Sequence, residues 1–567
     1  MKNLLSGLPN FKKITPTAWV LALAFVFCGL FYEVLSAVCS VFLCILIFLK
    51  AKKQKGLKIY ANSLSLSVAL IFLFYVITIF WAADGGMAPF GIIKFLPLPL
   101  FMILLMQESE NETPSSLFSI LPPLAAALTL LSSVLGQVPR LKPYFMVNGR
   151  LAGFFGYPNT FALVLLVVFI YTVLKEKINW LDILYLCIFV FGILYSGSRT
   201  AFILLVISAI LIVFKKAKTK GKKLLLTVAV LGGIAVLGTV LALLGFTESI
   251  GRFLTTSVFS STFVGRFLYF YDALPVIIKN PFGLGYLGYY SVEQSIQSGL
   301  YSVRFIHNDF LQLLLDIGWA PTALFVFAVA KRFFKKGTDF KTRILIFVIT
   351  AHSLFDFNLQ FIFVFMLYLT LLNENSGKEI KVKKKALILL PVTVFTVVSL
   401  YFAMAQSLYY LGKYDAATKI YPSYTEAKQK QLTLETDANE ISKLANEILQ
   451  LNPNCSLAFS AKANYFFALG NVEATLTQMD LAIKNAPFAY SEYEKTAYIL
   501  QTAIRMYGAA GDEKSADYCK RKLISLNEEL LAVKNKISPL GRMITDQPTT
   551  QFPKEINEYI KGLEYED

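Results

Sequence analysis

The chain has only two histidines in 567 residues, His307 and His352, and its six cysteines form no cluster with them. A His-rich metal site is therefore excluded. No glycine loop of the phosphate-cradling kind occurs, and no G-x-S-x-G nucleophile elbow. Charge is scarce too: 16% of residues are Asp, Glu, Lys or Arg, against about a quarter in soluble globular chains. Carboxylate clusters are missing from the loops expected outside the cytoplasm. Any chemistry there has to use arginines, one histidine and backbone donors.

What the chain has in abundance is apolar length. Hydrophobic residues make up 56% and mean hydropathy is +0.57. Apolar stretches of roughly 16–23 residues recur from Thr17 to Met404, long enough to cross a hydrocarbon core of about 30 Å. None alternates as an outer-membrane barrel strand does, so helices are expected. Candidate spans fall at about 17–31, 34–49, 62–81, 88–106, 116–136, 157–174, 181–196, 200–214, 224–246, 311–330, 343–356, 358–372 and 386–405. The first is read as an uncleaved helix, since no small-residue cleavage site precedes the next span.

The formal charge of +17 sits mostly in short loops between apolar segments. That distribution orients a chain in a bilayer and does not indicate nucleic acid. Placing the N-terminus in the cytoplasm puts Lys50–Lys58, Lys175 and Lys177, the run from Lys215, KRFFKK from Lys331 and KVKKK from Lys381 on the inner side. The exception is QESENETPSS from Gln107, which is neutral to acidic. The stretch Thr342–Leu372 is too long for one untilted helix, and two short helices turning around Phe355–Asn358 keep the alternation.

The expected architecture is all-α. A polytopic bundle of about 12–13 spans covers 1–405, with a large extracytoplasmic loop at about 247–310, and a soluble helical domain covers 406–567. Pro453 and Pro487 close two units 34 residues apart, the period of tetratricopeptide repeats, around a Leu469-Gly470-Asn471 turn. Flanking partial copies start at Tyr409 and Tyr507. Such an array offers a surface for a protein partner, or caps the bundle. Cys455 and Cys519 lie in this tail. They read as buried free thiols, with a disulfide as the alternative outside the cytoplasm.

Four clusters gather on the outer side. NGRLAGFFGYPNTFA brings Asn148, Arg150, Tyr157 and Asn159, and SGSRT brings Arg199. FVGRFLYFYDALPVIIKNPFGLGY brings Arg266 and Lys279, and RFIHNDFLQLLLDIGWAP brings Arg304, His307 and Asn308; both belong to the segment from Arg252 to Asp316 between apolar helices. A planar guanidinium binds oxyanions with paired donors and keeps its charge beside a membrane, which suits pyrophosphate. A lone interfacial arginine more often snorkels to lipid phosphates, whereas four clusters on one face point to a site. His307 suits a base or hydrogen-bond acceptor for a hydroxyl, and otherwise a capping residue. His352 and Asp356, spaced i, i+4, could pair as structural support.

The series NGRLAGFFGYPNTFA, LYSGSRTAF, VGRFLYFYDALPVIIKNPFGLGY and HNDFLQLLLDIG resembles the O-antigen ligase and O-antigen polymerase superfamily over about Asn148–Leu372. His307-Asn308 followed by Gly318 fits its His-Asn, nine residues, Gly element. Pro321 and Phe270 depart from its pattern. The resemblance implies a metal-independent, inverting glycosyltransferase needing no cofactor. It would take a glycan from undecaprenyl pyrophosphate and pass it to a hydroxyl on an acceptor glycan, lipid or protein. The site would face outward from a bacterial plasma membrane. The family's arginines map to Arg199 and Arg266, with Arg150 added, and its histidine to His307. His307 and Arg266 are then expected to be catalytic. Arg150, Arg199, Arg252, Arg304, Asn308, Tyr157 and Asn159 are expected to bind pyrophosphate or glycan. Two alternatives stay open: a lipid-glycan flippase, which would place its charges inside the spans, and a protein O-oligosaccharyltransferase of the same family.

Overall fold

The computed structural model describes residues 14–217 and 261–564, with isolated positions between them. Arg252 and most of the candidate span 224–246 lie outside the described residues. The protein is all-α, and among the described residues its strands form two two-stranded pairs.

In chain order the bundle comprises α1 (Pro16–Val26), α2 (Glu33–Lys53), β1 (Leu57–Ala61), α3 (Ser63–Ile77), α4 (Phe90–Phe95), α5 (Pro97–Leu105) and α6 (Glu112–Leu135). A hairpin of β2 (Met146–Val147) and β3 (Arg150–Leu151) precedes α7 (Pro158–Val173), α8 (Trp180–Ser196) and α9 (Arg199–Lys216). After the gap come α10 (Ser261–Lys279), α11 (Gly288–Ile296), α12 (Asp309–Ile317), α13 (Trp319–Phe334), α14 (Phe340–Ser353), α15 (Ile362–Leu372), β4 (Lys378–Val382) and α16 (Ala386–Tyr410).

Among the described residues four helices are long and apolar enough to cross a membrane: Glu33–Lys53, Ser63–Trp81, Glu112–Leu135 and Ala386–Tyr410. Other expected spans are shorter or broken. Residues 88–106 divide at Leu96 into α4 and α5 because Pro97 starts a new helix. Thr342–Leu372 forms two helices, α14 and α15, joined through a turn at residues 354–361. Every residue of α15 is buried, which accounts for its sequence being apolar on all sides. With α5 and α7 it forms the centre of the core.

The ends of the bundle differ chemically. At one, β1 pairs antiparallel with β4, Leu57 opposite Val382 and Ala61 opposite Lys378, amid the lysine runs. At the other, where α3 and α16 finish, the tail packs. It contains α17 (Tyr414–Ile420), α18 (Thr425–Leu434), α19 (Ala438–Leu451), α20 (Ser456–Ala468), α21 (Val472–Asn485), α22 (Tyr490–Ala509), α23 (Glu513–Lys536) and α24 (Lys554–Glu564). Gly412, Gly470 and Gly511 each take φ of +73° between helices, a left-handed conformation that favours glycine. Asn471 then accepts from the Ala474 amide at 3.0 Å to start α21. Cys455 and Cys519 are free and buried in separate apolar clusters, so the disulfide alternative does not hold.

Asp84, in the loop between α3 and α4, ties the tail down. Its carboxylate accepts from Thr425 Oγ1 at 2.7 Å and Asn452 Nδ2 at 3.2 Å, and from the amides of Gly86 and Met87. The Gly85 amide donates to the Leu451 carbonyl at 2.9 Å. Further along, Ser538 N donates to Ser298 O at 2.8 Å and Thr545 N to Ser261 Oγ at 2.9 Å, so residues 538–545 brace α10 and the segment after α11.

Candidate active site

The site lies at the tail end of the bundle and is organised around one carboxylate, Asp356, in the turn beyond α14. Its side chain is 1% exposed. Oδ1 accepts from Tyr157 OH at 2.7 Å and from the Phe357 amide at 3.0 Å, and faces His307 Nδ1 at 3.2 Å. Oδ2 accepts from Asn159 Nδ2 at 2.6 Å and lies 3.5 Å from an Arg266 guanidinium nitrogen. Four side chains from three separate segments of the chain thus meet on one buried group.

Local chemistry explains how each arrives. Asn148 and Gly149, both with positive φ (+49° and +70°), form the two-residue turn of the β2–β3 hairpin, as Asn-Gly does best. That hairpin holds Arg150, which donates to the Ser196 carbonyl at 2.7 Å and to Asn159 Oδ1 at 2.5 Å. Gly156 turns left-handed and Pro158 starts α7, leaving Tyr157 extended at its mouth. Tyr157 stacks its ring near Phe361 and Phe357, and Phe357 packs edge-on to His307 at 5.1 Å. Arg150 therefore links the hairpin, the end of α8 and Asn159. Arg199 occupies the first turn of α9, three residues beyond Ser196, behind the Ser198 cap.

Arg266 lies in α10. Its side chain is 12% exposed, and its Nε is buried without a hydrogen-bond partner among the described residues. A buried N–H left unpaired is costly, so this donor marks a place for an oxyanion or water. His307 is 20% exposed at the side chain. Because Nδ1 faces a carboxylate, the proton belongs on Nδ1, leaving Nε2 as an acceptor.

Other expected site residues go elsewhere. Asn308 accepts from the Phe310 and Leu311 amides at 3.0 Å and so caps α12. Arg304 donates to Glu426 of the tail at 2.7 Å and lies 5.7 Å over the Tyr290 ring; its carboxylate partner sits in α18, far along the sequence. Lys279 is exposed at the far end of α10 from Arg266, about 20 Å away at 1.5 Å per residue, so it does not converge with the others. His352 and Asp356 share no hydrogen bond, because α14 ends at Ser353 and the i, i+4 helical spacing is not completed, although each lies in the other's electrostatic field. His352 Nδ1 meets Asn358 Nδ2 at 3.0 Å instead. The expected loop at 247–310 is, over its described part, largely helix, in α10 and α11. Asp356 is the residue that sequence reasoning placed wrongly, as support for His352 and not as the hub.

Two features border the site. Glu33 is buried and accepts from Tyr286 OH at 2.5 Å and Gln406 Nε2 at 2.8 Å, while Lys94 donates to the Phe31 carbonyl. An apolar groove of about 780 Å³ runs between α1 and α2, lined by Trp19, Leu23, Phe27, Phe42 and Ile45. Its lip at Phe27 and Leu30, towards the tail end of the bundle, adjoins Phe31, which stacks on Phe361 at 4.7 Å.

Electrostatics at the tail end of the bundle are also unusual. Burial raises the Asp84 carboxyl to about 6, opposed by its bonds from Thr425, Met87 and Gly86. Burial raises Glu293 to about 8, although the Val303 amide donates to it at 2.6 Å.

Residues 184–326 match the family model described as O-antigen ligase, about a quarter of the chain. The matched segment contains Arg199, Arg266, Arg304 and His307, and stops short of Asp356. It supports a place in the O-antigen ligase superfamily and glycan transfer of the surface-polysaccharide ligase or polymerase type, by a membrane protein acting on lipid-linked glycan. No curated protein and no solved structure matches the chain.

Proposed function

We propose that this chain transfers a glycan from an undecaprenyl-pyrophosphate carrier to an acceptor hydroxyl outside the cytoplasm, as a surface polysaccharide polymerase or ligase. One observation carries the reading: the buried Asp356 carboxylate holds His307 on one oxygen and Arg266 on the other. That places a base and an oxyanion-binding fork side by side.

In the proposed step the acceptor oxygen attacks the anomeric carbon from the face opposite the pyrophosphate. The bond from that carbon to the phosphate oxygen breaks, and its electron pair stays with the departing pyrophosphate. The configuration therefore inverts. The hydroxyl proton passes to His307 Nε2, whose tautomer Asp356 fixes through Nδ1, the orienting logic of an Asp–His pair. Arg266, with its unpartnered Nε, meets the charge that builds on the pyrophosphate, and Arg150 and Arg199 extend the positive field. Because guanidinium groups supply that charge, the step is proposed as independent of metal. Tyr157 and Asn159 hold Asp356 in place. The groove between α1 and α2 is proposed to take the polyprenyl chain, its outer lip adjoining the aromatic stack that carries Tyr157.

The lysine-rich end is placed in the cytoplasm of a bacterial plasma membrane by the positive-inside rule, with the tail outside. The tail is proposed as a tetratricopeptide-like array, supported by the helix–Gly–helix turns at Gly412, Gly470 and Gly511. The test is reconstitution with an undecaprenyl-linked oligosaccharide. A ladder of products means polymerase, one transferred unit means ligase, and no release of undecaprenyl pyrophosphate overturns the proposal.

A further inference from the structure

A polar cleft of about 180 Å³ opens between the bundle and the tail, at the end that carries the site. Tyr290, Gln294 and Ser302 line it from α11 and the segment that follows. Gln429, Asn452 and Asn454 line it from the tail. From this juxtaposition we infer that the cleft binds a neutral sugar residue of the acceptor glycan. The inference rests on the transfer reading above and gives that site its acceptor subsite.

Size and chemistry both select this ligand. The volume equals about six waters at roughly 30 Å³ each, room for a single hydroxylated ring. Planar amides and a hydroxyl offer donors and acceptors in adjacent directions, as vicinal hydroxyls require. The side-chain amides of Gln294 and Asn454 make no hydrogen bond among the described residues and are available to a ligand. No lysine or arginine lines the cleft, whereas the carboxyl groups of Asp84, Glu293 and Glu426 do, each already bonded within the protein, so it does not suit a phosphate. Tyr290 is 41% exposed and already has the Arg304 guanidinium over its ring, which holds it as a fixed apolar platform.

Position ties the cleft to the reaction. Ser302 is at its wall and His307 is five residues further on, so the two lie within about 18 Å even for a fully extended chain. A short oligosaccharide seated in the cleft can present its terminal hydroxyl at His307. The walls come from both the bundle and the tail, so the tail acts as half of a substrate site.

The experiment uses the full chain in nanodiscs. The probe is the lipid-free repeat oligosaccharide released by mild acid from the surface polysaccharide of the organism encoding the chain. Calorimetry should give saturable binding to the unaltered protein and to Arg266→Ala alike. Gln429→Ala/Asn454→Ala should weaken it at least tenfold. Gln294→Ala, on the opposite wall, should weaken it too, which separates the effect from misfolding of the tail. Absence of binding to the unaltered protein, or equal binding to the cleft variants, overturns the inference. Binding that is lost in the cleft variants while the unaltered protein transfers nothing supports the cleft and overturns the transfer reading alone.

Discussion

His307 and Asp356 meet at 3.2 Å between Nδ1 and Oδ1 although 49 residues separate them. The contact joins the loop before α12 to the turn between α14 and α15. It also fixes which imidazole nitrogen is left to face a substrate. His307→Ala should lower transfer by about 10²–10⁴-fold, the usual contribution of a positioned base, with expression and monodispersity unchanged. Asp356→Asn should also cut turnover, because an amide can stabilise the wrong tautomer. Release of undecaprenyl pyrophosphate measures both, and full activity in His307→Ala would remove the base role.

Arg266→Lys keeps the charge and loses the fork. Removing one such donor costs about 10²–10³ in rate where it meets charge in the transition state. A fall of that size is expected, mainly in kcat. Near-normal turnover would mean that simple charge attraction suffices.

Glu293 provides a pH test. Its folded carboxyl is raised from 4.5 to about 8, so the folded state holds the proton more tightly than the unfolded chain. The stability this contributes is complete below about pH 4.5 and declines as pH rises towards 8. Thermal midpoints in detergent should therefore fall across that window, and Glu293→Gln, which cannot ionise, should flatten the fall. An unchanged slope in the variant would refute the assignment.

The Arg304–Glu426 bond clasps the tail to the bundle. Glu426→Ala should loosen tail docking by about 1.5–3 kcal/mol, the range for a hydrogen bond to a charged group. Limited proteolysis should then release the tail sooner, and Arg304→Ala in the same background should add little. Equal release rates would show that Asp84 and the strap at residues 538–545 suffice.

Topology can be checked directly. In a cysteine-free background, Lys484→Cys, exposed in α21, should react with an impermeant maleimide on intact cells. Lys381→Cys, in β4, should react only after lysis. The reverse pattern would invert the proposed orientation.

Much of the fold was legible because apolar length is a local property. The α20–α21 hairpin was legible for the same reason, in the Leu469-Gly470-Asn471 turn. The convergence of Tyr157, Asn159, Arg266 and His307 on Asp356 was not, since it joins segments up to about 200 residues apart. Spacing alone paired Asp356 with His352, and only the end of α14 at Ser353 separates them. Arg304 resembled a phosphate ligand for a similar reason: its partner, Glu426, lies 122 residues further along the chain. The Asn148-Gly149 turn was readable as a hairpin signal and went unused among long apolar helices.

The β1–β4 ladder joins residues 57–61 to residues 378–382, with more than three hundred residues between them. A ribosome adding about 5–20 residues per second takes roughly 15–60 s to supply the second strand after the first. For that interval the nascent chain carries an unpaired edge and spans inserted without their final neighbours. Biogenesis of this protein therefore depends on whatever shelters early segments in the translocon, and strand-breaking substitutions such as Ile59→Pro should first reveal themselves as degradation during synthesis.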